Sequence, residues 1–304
     1  MLRHFEIVHN KIVETEKETA HIHYCINPDD SEKKLLVENY KIDEHTLVSA
    51  LDPNELARLE FEPEHIAIIL KRPKKYEARD QLLFKVPTVG IFVFKKFLII
   101  VSAEDITLFD GKLFSNVSNL NELLLKIIYR SIHHFVDHLK VINLITDELE
   151  QKINRSMENR YLINMFSLEK SLVYYLDAIH SNSMLIEKIK HNATKFDLSQ
   201  ELLELIDDIT IENNQCYEQA QNYSEILASL MDARASIVSN NLNILIKVLN
   251  IITILLMVPT MVVSVFSMNV PLPLQGHPYA FWIILGLSGL SVLTVIFIWW
   301  RLKL

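Results

Sequence analysis

The last quarter of the chain contains two long apolar runs. Residues 248–300 include no Asp, Glu, Lys or Arg. The first run covers residues 248–266 and the second residues 281–300, and about 20 apolar residues are enough for a helix to cross a bilayer. Three prolines and one glycine fall between the runs. The pattern predicts two transmembrane helices joined by a short outer loop, 267–280.

A helical pattern precedes these runs. Residues 112–258 contain neither glycine nor proline and are rich in Leu, Ile, Glu and Lys, which favours helix. Polar stretches near 154–159 and 191–196 interrupt the pattern. The sequence therefore predicts helices at 119–155, 158–192 and 199–266, and the third runs directly into the first membrane span.

The first 115 residues have another character, with short β-branched and aromatic runs between turn residues. Strands are predicted at 21–26, 65–71, 82–86, 90–101 and 106–110, and helices at 31–40 and 43–51. The fold expected is an α/β cytoplasmic domain, then a long helical stalk and two C-terminal transmembrane helices. The predicted domains are 1–118 (α/β), 119–247 (helical hairpin and stalk), 248–266 (first span), 267–280 (loop), 281–300 (second span) and 301–304 (tail).

Charge is distributed unevenly along the 304 residues, whose mean hydropathy is +0.17. Residues 1–247 carry 28 Lys and Arg against 38 Asp and Glu, a formal charge of −10. This acidic body argues against nucleic acid as a partner, because phosphate binding needs a basic surface. Lys247, Arg301 and Lys303 flank the spans, so the positive-inside rule places both termini in the cytoplasm of a multi-pass protein of the plasma or inner membrane. The N-terminus has no apolar signal segment, and no cleaved leader is expected.

Polar side chains in the first span fall on one face. Such side chains normally face protein or water. Heptad series starting at residues 243 and 246 contain all of them and form one seam on a helix. This polar seam consists of Asn243, Ile246, Asn250, Thr253, Met257, Thr260, Ser264 and Ser267, and its continuation towards the N-terminus reaches Asp232.

Two interpretations compete with a pore. Small and hydroxylated residues also mediate dry packing between membrane helices, and Ser or Thr can donate to a carbonyl of its own helix. Asn243 and Asn250 on one seam favour a water-filled path. Because two spans cannot enclose a channel, a pore requires a symmetric ring of chains.

The end of the first span carries a recognisable motif. Ser267-Met268-Asn269 resembles the Gly-Met-Asn signature of the CorA family of magnesium and divalent-cation channels. Residues 239–260 are similar to the pore helix of that family, and residues 50–73 to a part of its cytoplasmic domain. The resemblance implies a homopentameric funnel that transports a divalent cation, with Mg²⁺ as the first expectation. No resident cofactor is implied, because the cation is the transported and regulatory ion.

The resemblance also assigns roles to residues. It implies a selectivity filter of Ser267, Met268 and Asn269, in which Asn269 oxygens hold a hydrated ion without preventing its release. It implies a pore lined by Asn243, Ile246, Leu249, Asn250, Thr253, Met257, Thr260 and Ser264. Ile246, Leu249 and Met257 are candidate apolar constrictions that block conduction by dewetting.

Regulation in such proteins comes from cations bound to cytoplasmic acids. Asp208 and Asp232 match acidic stalk positions of the family, so the metal-binding candidates are Asn269, Asp232 and Asp208. The usual acidic partner of the Asp208 position is Ser49 here, for which Asp207, Glu212 or Asp52 are possible substitutes.

Departures from the family keep alternatives open. Ser267 replaces the motif glycine, and the loop at 267–280 has no acid to attract cations. The pore could serve Zn²⁺, Co²⁺ or Ni²⁺ or act as a signal-gated effector, or the chain could be a membrane-anchored helical interaction module without conduction. Asn269 could also be a simple helix cap.

No HExxH, GxSxG or phosphate-loop motif is present, so an enzyme is not expected. The histidines at 21–24 and 133–134 are predicted to lie at strand and helix surfaces.

Overall fold

The computed structural model describes residues 1–17, 19–77, 82–155, 159–270 and 276–302; of residues 154, 155, 159 and 302 only the backbone is described. The chain forms two compact units, Met1–Met231 and Asp232–Leu304.

A seven-stranded sheet organises the first unit. Its strand order is β2-β1-β3-β7-β6-β5-β4. Only the β3–β7 pair is parallel among the described pairs, and the others are antiparallel. The strands are β1 Leu2–Val8, β2 Lys11–Thr15, β3 Ile22–Ile26, β4 Arg58–Phe61, β5 Ile66–Lys71, β6 Thr88–Val93 and β7 Leu98–Ser102.

Helices cover both faces of this sheet. Helices α1 (Asp30–Tyr40) and α2 (Glu44–Leu51) pack on one face. The other face contacts the long helices α3 (Leu120–Arg155) and α4 (Asn159–His191). Each strand contributes side chains to both cores in alternation, because successive side chains point to opposite faces of the sheet. In β7, for example, Leu98 and Ile100 belong to the core with α3 and α4, and Ile99 and Val101 to the core with α1 and α2.

Predicted and observed strands differ in several places. Residues 82–86 and 106–110 are irregular, and 90–101 is a hairpin of two strands. Within the segment 82–86, Phe84 and Val86 are buried outside any strand. The amide of Phe84 donates to Oγ of Ser171 at 2.9 Å, and the carbonyl of Lys85 accepts from the amide of Lys74 at 2.9 Å. The hairpin β1–β2 and the edge strand β4 were not predicted. Their residues are mostly half-exposed, and apolar and polar residues do not alternate clearly along them.

The long helices match the prediction. Helix α5 spans Gln200–Phe266, and helix α6 spans Ala280–Leu302. The observed ends of α3, α4 and α5 all lie within one residue of the predicted bounds. In the first unit, the N-terminal part of α5 buries one stripe, and Nδ2 of Asn213 in that stripe donates to the carbonyl of Ile179 at 3.3 Å. Helices α5 and α6 are both long and apolar enough to cross a membrane.

Candidate functional site

The apolar part of α5 has one half-buried stripe. Its members recur every three or four residues, and α6 carries a matching stripe, as expected of two helices packed side by side. The α5 stripe consists of Ile251, Leu255, Val258, Val262 and Phe266, and the α6 stripe of Ile284, Ser288, Ser291, Val292 and Val295.

The polar seam lies on the other side of α5. Asn250, Thr253, Met257, Thr260 and Ser264 are all exposed. At 3.6 residues per turn, the seam and the half-buried stripe are about 160° apart around the helix axis. The structure therefore brings the predicted seam residues onto one exposed face of α5. At the C-terminal end of that face, Thr260, Ser264 and Ser267 line a groove together with Ser288 of α6.

The seam hydroxyls donate to their own helix. Oγ1 of Thr253 donates to the carbonyl of Leu249 at 2.8 Å, and Oγ1 of Thr260 to that of Leu256 at 2.6 Å. A hydroxyl has one proton and two lone pairs. With the proton bound by the helix, each hydroxyl offers only acceptor oxygens to the open face. The back-bonding alternative is thus observed, and its chemical result is a face that accepts hydrogen bonds or cations.

The Ser-Met-Asn motif follows the last turn of α5. Ser267 continues that turn, since its Oγ donates to the carbonyl of Ser264 at 2.9 Å. Met268 and Asn269 are exposed. The side-chain amide of Asn269 forms no hydrogen bond with any described residue, so no capping bond supports the cap interpretation in the part of the chain that the structure describes.

The acidic candidates Asp208 and Asp232 lie at different positions along α5. Asp208 is exposed on α5, whereas Ser49 is only 4% exposed within α2. Asp207 forms an ion pair with Lys190 at 2.5 Å. Asp232 is exposed. Among the described residues of one chain, no three acids, histidines or cysteines are grouped as a metal site.

Glu212 shares its surroundings with Asp208. Both carboxylates raise the pKa of the Tyr129 phenol, although burial of Tyr129 is the larger cause. A negative potential therefore extends along this face of α5 from one carboxylate to the next.

The prediction that the histidines at 21–24 and 133–134 lie at surfaces was wrong for His23. His23 is only 5% exposed, and its Nδ1 lies 2.8 Å from Nδ1 of His4 on the neighbouring strand. Nδ1 of His138 lies 2.6 Å from the hydroxyl of Tyr175. Burial lowers the pKa of His138 to about 4 and that of His134 to about 3. His23 is buried because the rings of His4, Tyr40 and Phe97 cover it on an inner strand. His138 is buried because α3 packs beside Tyr175 of α4. Local polarity does not reveal either environment.

Comparison with known proteins shows the family to which this chain belongs. The family model described as "CorA-like Mg2+ transporter protein" matches residues 19–303. The chain belongs to this family. A curated relative, the cobalt/magnesium transport protein CorA of Methanocaldococcus jannaschii, is 23% identical over 292 residues, which cover 91% of this chain and 89% of the relative. The resemblance inferred from the motif is therefore confirmed.

Solved structures agree with the fold. The complete structure of the CorA magnesium transporter from M. jannaschii has a TM-score of 0.82 at 21% identity and covers 99% of this chain and 96% of its own. Full-length CmaX has a TM-score of 0.75 at 12% identity, with 100% and 98% covered. The cytoplasmic domain of ZntB from Vibrio parahaemolyticus has a TM-score of 0.60 at 14% identity, with 78% and 98% covered. The predicted fold class, an α/β domain with a long helix and two C-terminal apolar helices, is confirmed.

Proposed function

We propose that this protein transports divalent cations, Mg²⁺ first among them, across a membrane through a pore that five copies form around the polar seam of α5. Membership of the CorA-like family supports cation transport. The observation that carries the proposal is the position of the seam, on the face of α5 directed away from its half-buried stripe.

The arrangement suits a symmetric ring. The half-buried stripe of α5 is matched to α6 of the same chain, and the seam stays exposed, with Ser288 of α6 bordering only its C-terminal end. The exposed seam can then face a symmetry axis. Each copy then contributes the same row of oxygens to the lining. Thr253 and Thr260 present only lone pairs, since their protons are bound by the carbonyls of Leu249 and Leu256. A lining of acceptors stabilises cations and repels anions.

The ion passes hydrated. Mg²⁺ dehydrates reluctantly and usually keeps several waters. Five side-chain carbonyls of Asn269 bind those waters at the mouth, and Ser267 and Met268 complete the filter. Asn250 and Asn243 continue the polar path inside it. Ile246, Leu249 and Met257 narrow the path with apolar rings, which close it by dewetting.

Ser267 need not exclude Mg²⁺. Its hydroxyl donates to the carbonyl of Ser264, so it adds an acceptor to the mouth and no free donor. The curated relative is named for both cobalt and magnesium. We therefore expect the pore to accept Co²⁺ and Ni²⁺ as well as Mg²⁺. Competition of Zn²⁺ with Mg²⁺ flux is then the most informative measurement of selectivity.

Two variants with the same local chemistry test the proposal. Thr260 and Thr294 each donate to the carbonyl four residues earlier, at 2.6 and 2.8 Å, but Thr260 lies on the seam and Thr294 on α6. Thr260→Val should reduce Mg²⁺ flux into proteoliposomes several-fold per folded oligomer, whereas Thr294→Val should leave it unchanged. Equal effects of the two variants would contradict a pore along the seam.

The size of the oligomer separates the remaining alternatives. A pentamer in detergent with saturable flux of Mg²⁺, Co²⁺, Ni²⁺ or Zn²⁺ supports the channel. A monomer or dimer without flux would instead identify a membrane-anchored interaction module.

A further inference from the structure

Arg72 is a buried cation in the first unit. It follows the last residue of β5 and is only 4% exposed. Its Nη2 donates to the carbonyl of Thr107 at 3.1 Å. Nε and Nη1 are buried without a hydrogen-bond partner among the described residues. Two donors of this guanidinium are therefore unsatisfied.

The charge of Arg72 persists in this environment. Burial, and secondarily the nearby Arg130, lower the pKa of Arg72 to about 10, which leaves it protonated at neutral pH. A buried charge is strongly unfavourable unless it is paired. No described carboxylate lies within ion-pair distance of Arg72, so its counter-charge must come from elsewhere.

The neighbouring acids are already paired with other cations. Glu104 binds Lys74 at 2.9 Å, and Asp105 binds Arg3 at 3.2 Å. Tyr24 does not supply a negative charge either, because burial raises the pKa of its phenol.

A small cavity adjoins Arg72. Its volume is about 10 Å³, and its lining includes Pro87, Thr88, Ser102, Glu104 and Ile106. This is about the space that one water-sized particle needs. Phosphate, nucleotides and organic acids are too large, and a monatomic anion such as chloride, which is larger than water, requires the lining to move outward.

We propose that Arg72 and this cavity bind a single monatomic anion, chloride under cellular conditions. A water molecule could accept from Nε or Nη1 but would leave the charge of Arg72 unpaired. Chloride accepts from both donors and supplies the missing counter-charge. The site is structural, lies in the first unit, and does not depend on the proposed cation pathway.

Thermal unfolding of the full-length protein in detergent tests this site. Chloride should be exchanged for gluconate, which is too large for the cavity, at constant ionic strength. A ligand that binds only the folded state stabilises it in a saturable manner. We expect chloride and bromide to raise Tm by about 3–6 °C, with a plateau, and Arg72→Met to remove this dependence.

Arg3→Met is the matched control, because Arg3 is an arginine with a carboxylate partner near the same loop. It should keep the chloride dependence of the parent. An equal Tm in chloride and gluconate, or full chloride dependence in Arg72→Met, would overturn the proposal.

Crystals of the parent protein grown in bromide provide a measurement that does not need a variant. An anomalous peak within hydrogen-bond distance of Nε or Nη1 of Arg72 is expected. Its absence in well-ordered density would show that water fills the cavity and that the anion site is wrong.

Discussion

At the scale of single residues, the side-chain amide of Asn269 is the group on which selectivity depends in our proposal. Asn269→Ala removes one acceptor from every copy in the ring. Each lost contact is worth only about 0.5–1.5 kcal/mol, but the losses act on one ion, so Mg²⁺ uptake should fall below detection. Asn269→Asp adds negative charge, which should tighten binding and slow permeation, because an ion must also leave. Both are measured as flux per folded oligomer in liposomes.

Asn192 offers a control for the cap interpretation of Asn269. Its Nδ2 donates to the carbonyl of Lys188 at 2.8 Å just beyond the end of α4. Asn192→Ala should lower stability by about 1 kcal/mol and leave flux unchanged. If Asn269→Ala behaves like Asn192→Ala, the filter assignment is wrong.

The buried His138 predicts a dependence of stability on pH. Burial lowers its pKa from 6.5 to about 4 in the folded chain. The folded state therefore binds fewer protons than the unfolded state between these values, and stability falls as pH drops below 6.5. The expected loss is about 2 kcal/mol from pH 8 to pH 5, seen as a lower denaturation midpoint. His138→Gln should remove the part of this loss that comes from His138, and a loss as large as that of the parent would exclude His138 as a source.

Half-exposed His133 lies on the same helix and serves as the control for this measurement. His133→Gln should retain the slope of the parent. His134, whose pKa is lowered to about 3 by burial, should contribute a similar loss over the same range.

At the scale of secondary-structure elements, α2 packs tightly on β6 at Gly90. A Cβ built on Gly90 would lie 2.5 Å from Cβ of Ala50. Gly90→Ala must therefore push α2 from the sheet, and overpacking of this kind costs about 1–3 kcal/mol. The measurement is the free energy of unfolding, or Tm where unfolding is irreversible.

A second substitution tests the cause. Adding Ala50→Gly removes the opposing methyl and should recover most of the loss. If the double variant is no more stable than Gly90→Ala, contact between α2 and β6 is not the reason for the loss.

At the scale of the whole molecule, the pentamer that we propose would bring five copies of Asp232 into a ring of carboxylates. Like charges at close quarters concentrate divalent cations or share protons. Asp232→Asn should change the flux or its dependence on cytoplasmic Mg²⁺ and leave the pentamer intact. Asp197→Asn is a suitable control, because Asp197 lies in the turn before α5. An unchanged cation response would make Asp232 an ordinary solvated acid.

Membrane topology is the second prediction at this scale. A cysteine at His277 should react with an impermeant thiol reagent on intact cells, and a cysteine added after Leu304 should not. The background is low, because the native Cys25 and Cys216 are both only 1% exposed. Reversed labelling would contradict cytoplasmic termini.

Local patterns were sufficient for the helical part of this protein. Hydropathy and the lack of glycine and proline predicted the ends of α3, α4 and α5 and the two membrane spans. Both signals depend only on residues that are close together in the sequence. The heptad spacing of the seam is local in the same sense. The Ser267-Met268-Asn269 motif, together with its place at the end of the first span, was enough to indicate the family.

Only the tertiary structure decided the rest, because it depends on residues that are distant in the sequence. Strand pairing placed His23 beside His4, and helix packing buried His138 against Tyr175. Arg72 stands in a polar stretch of the sequence, yet it is buried and shares a cavity with residues of β6 and β7. The seam was visible as a pattern in the sequence. Which face of α5 is half-buried depends on α6, because a residue of an isolated helix is exposed on every face.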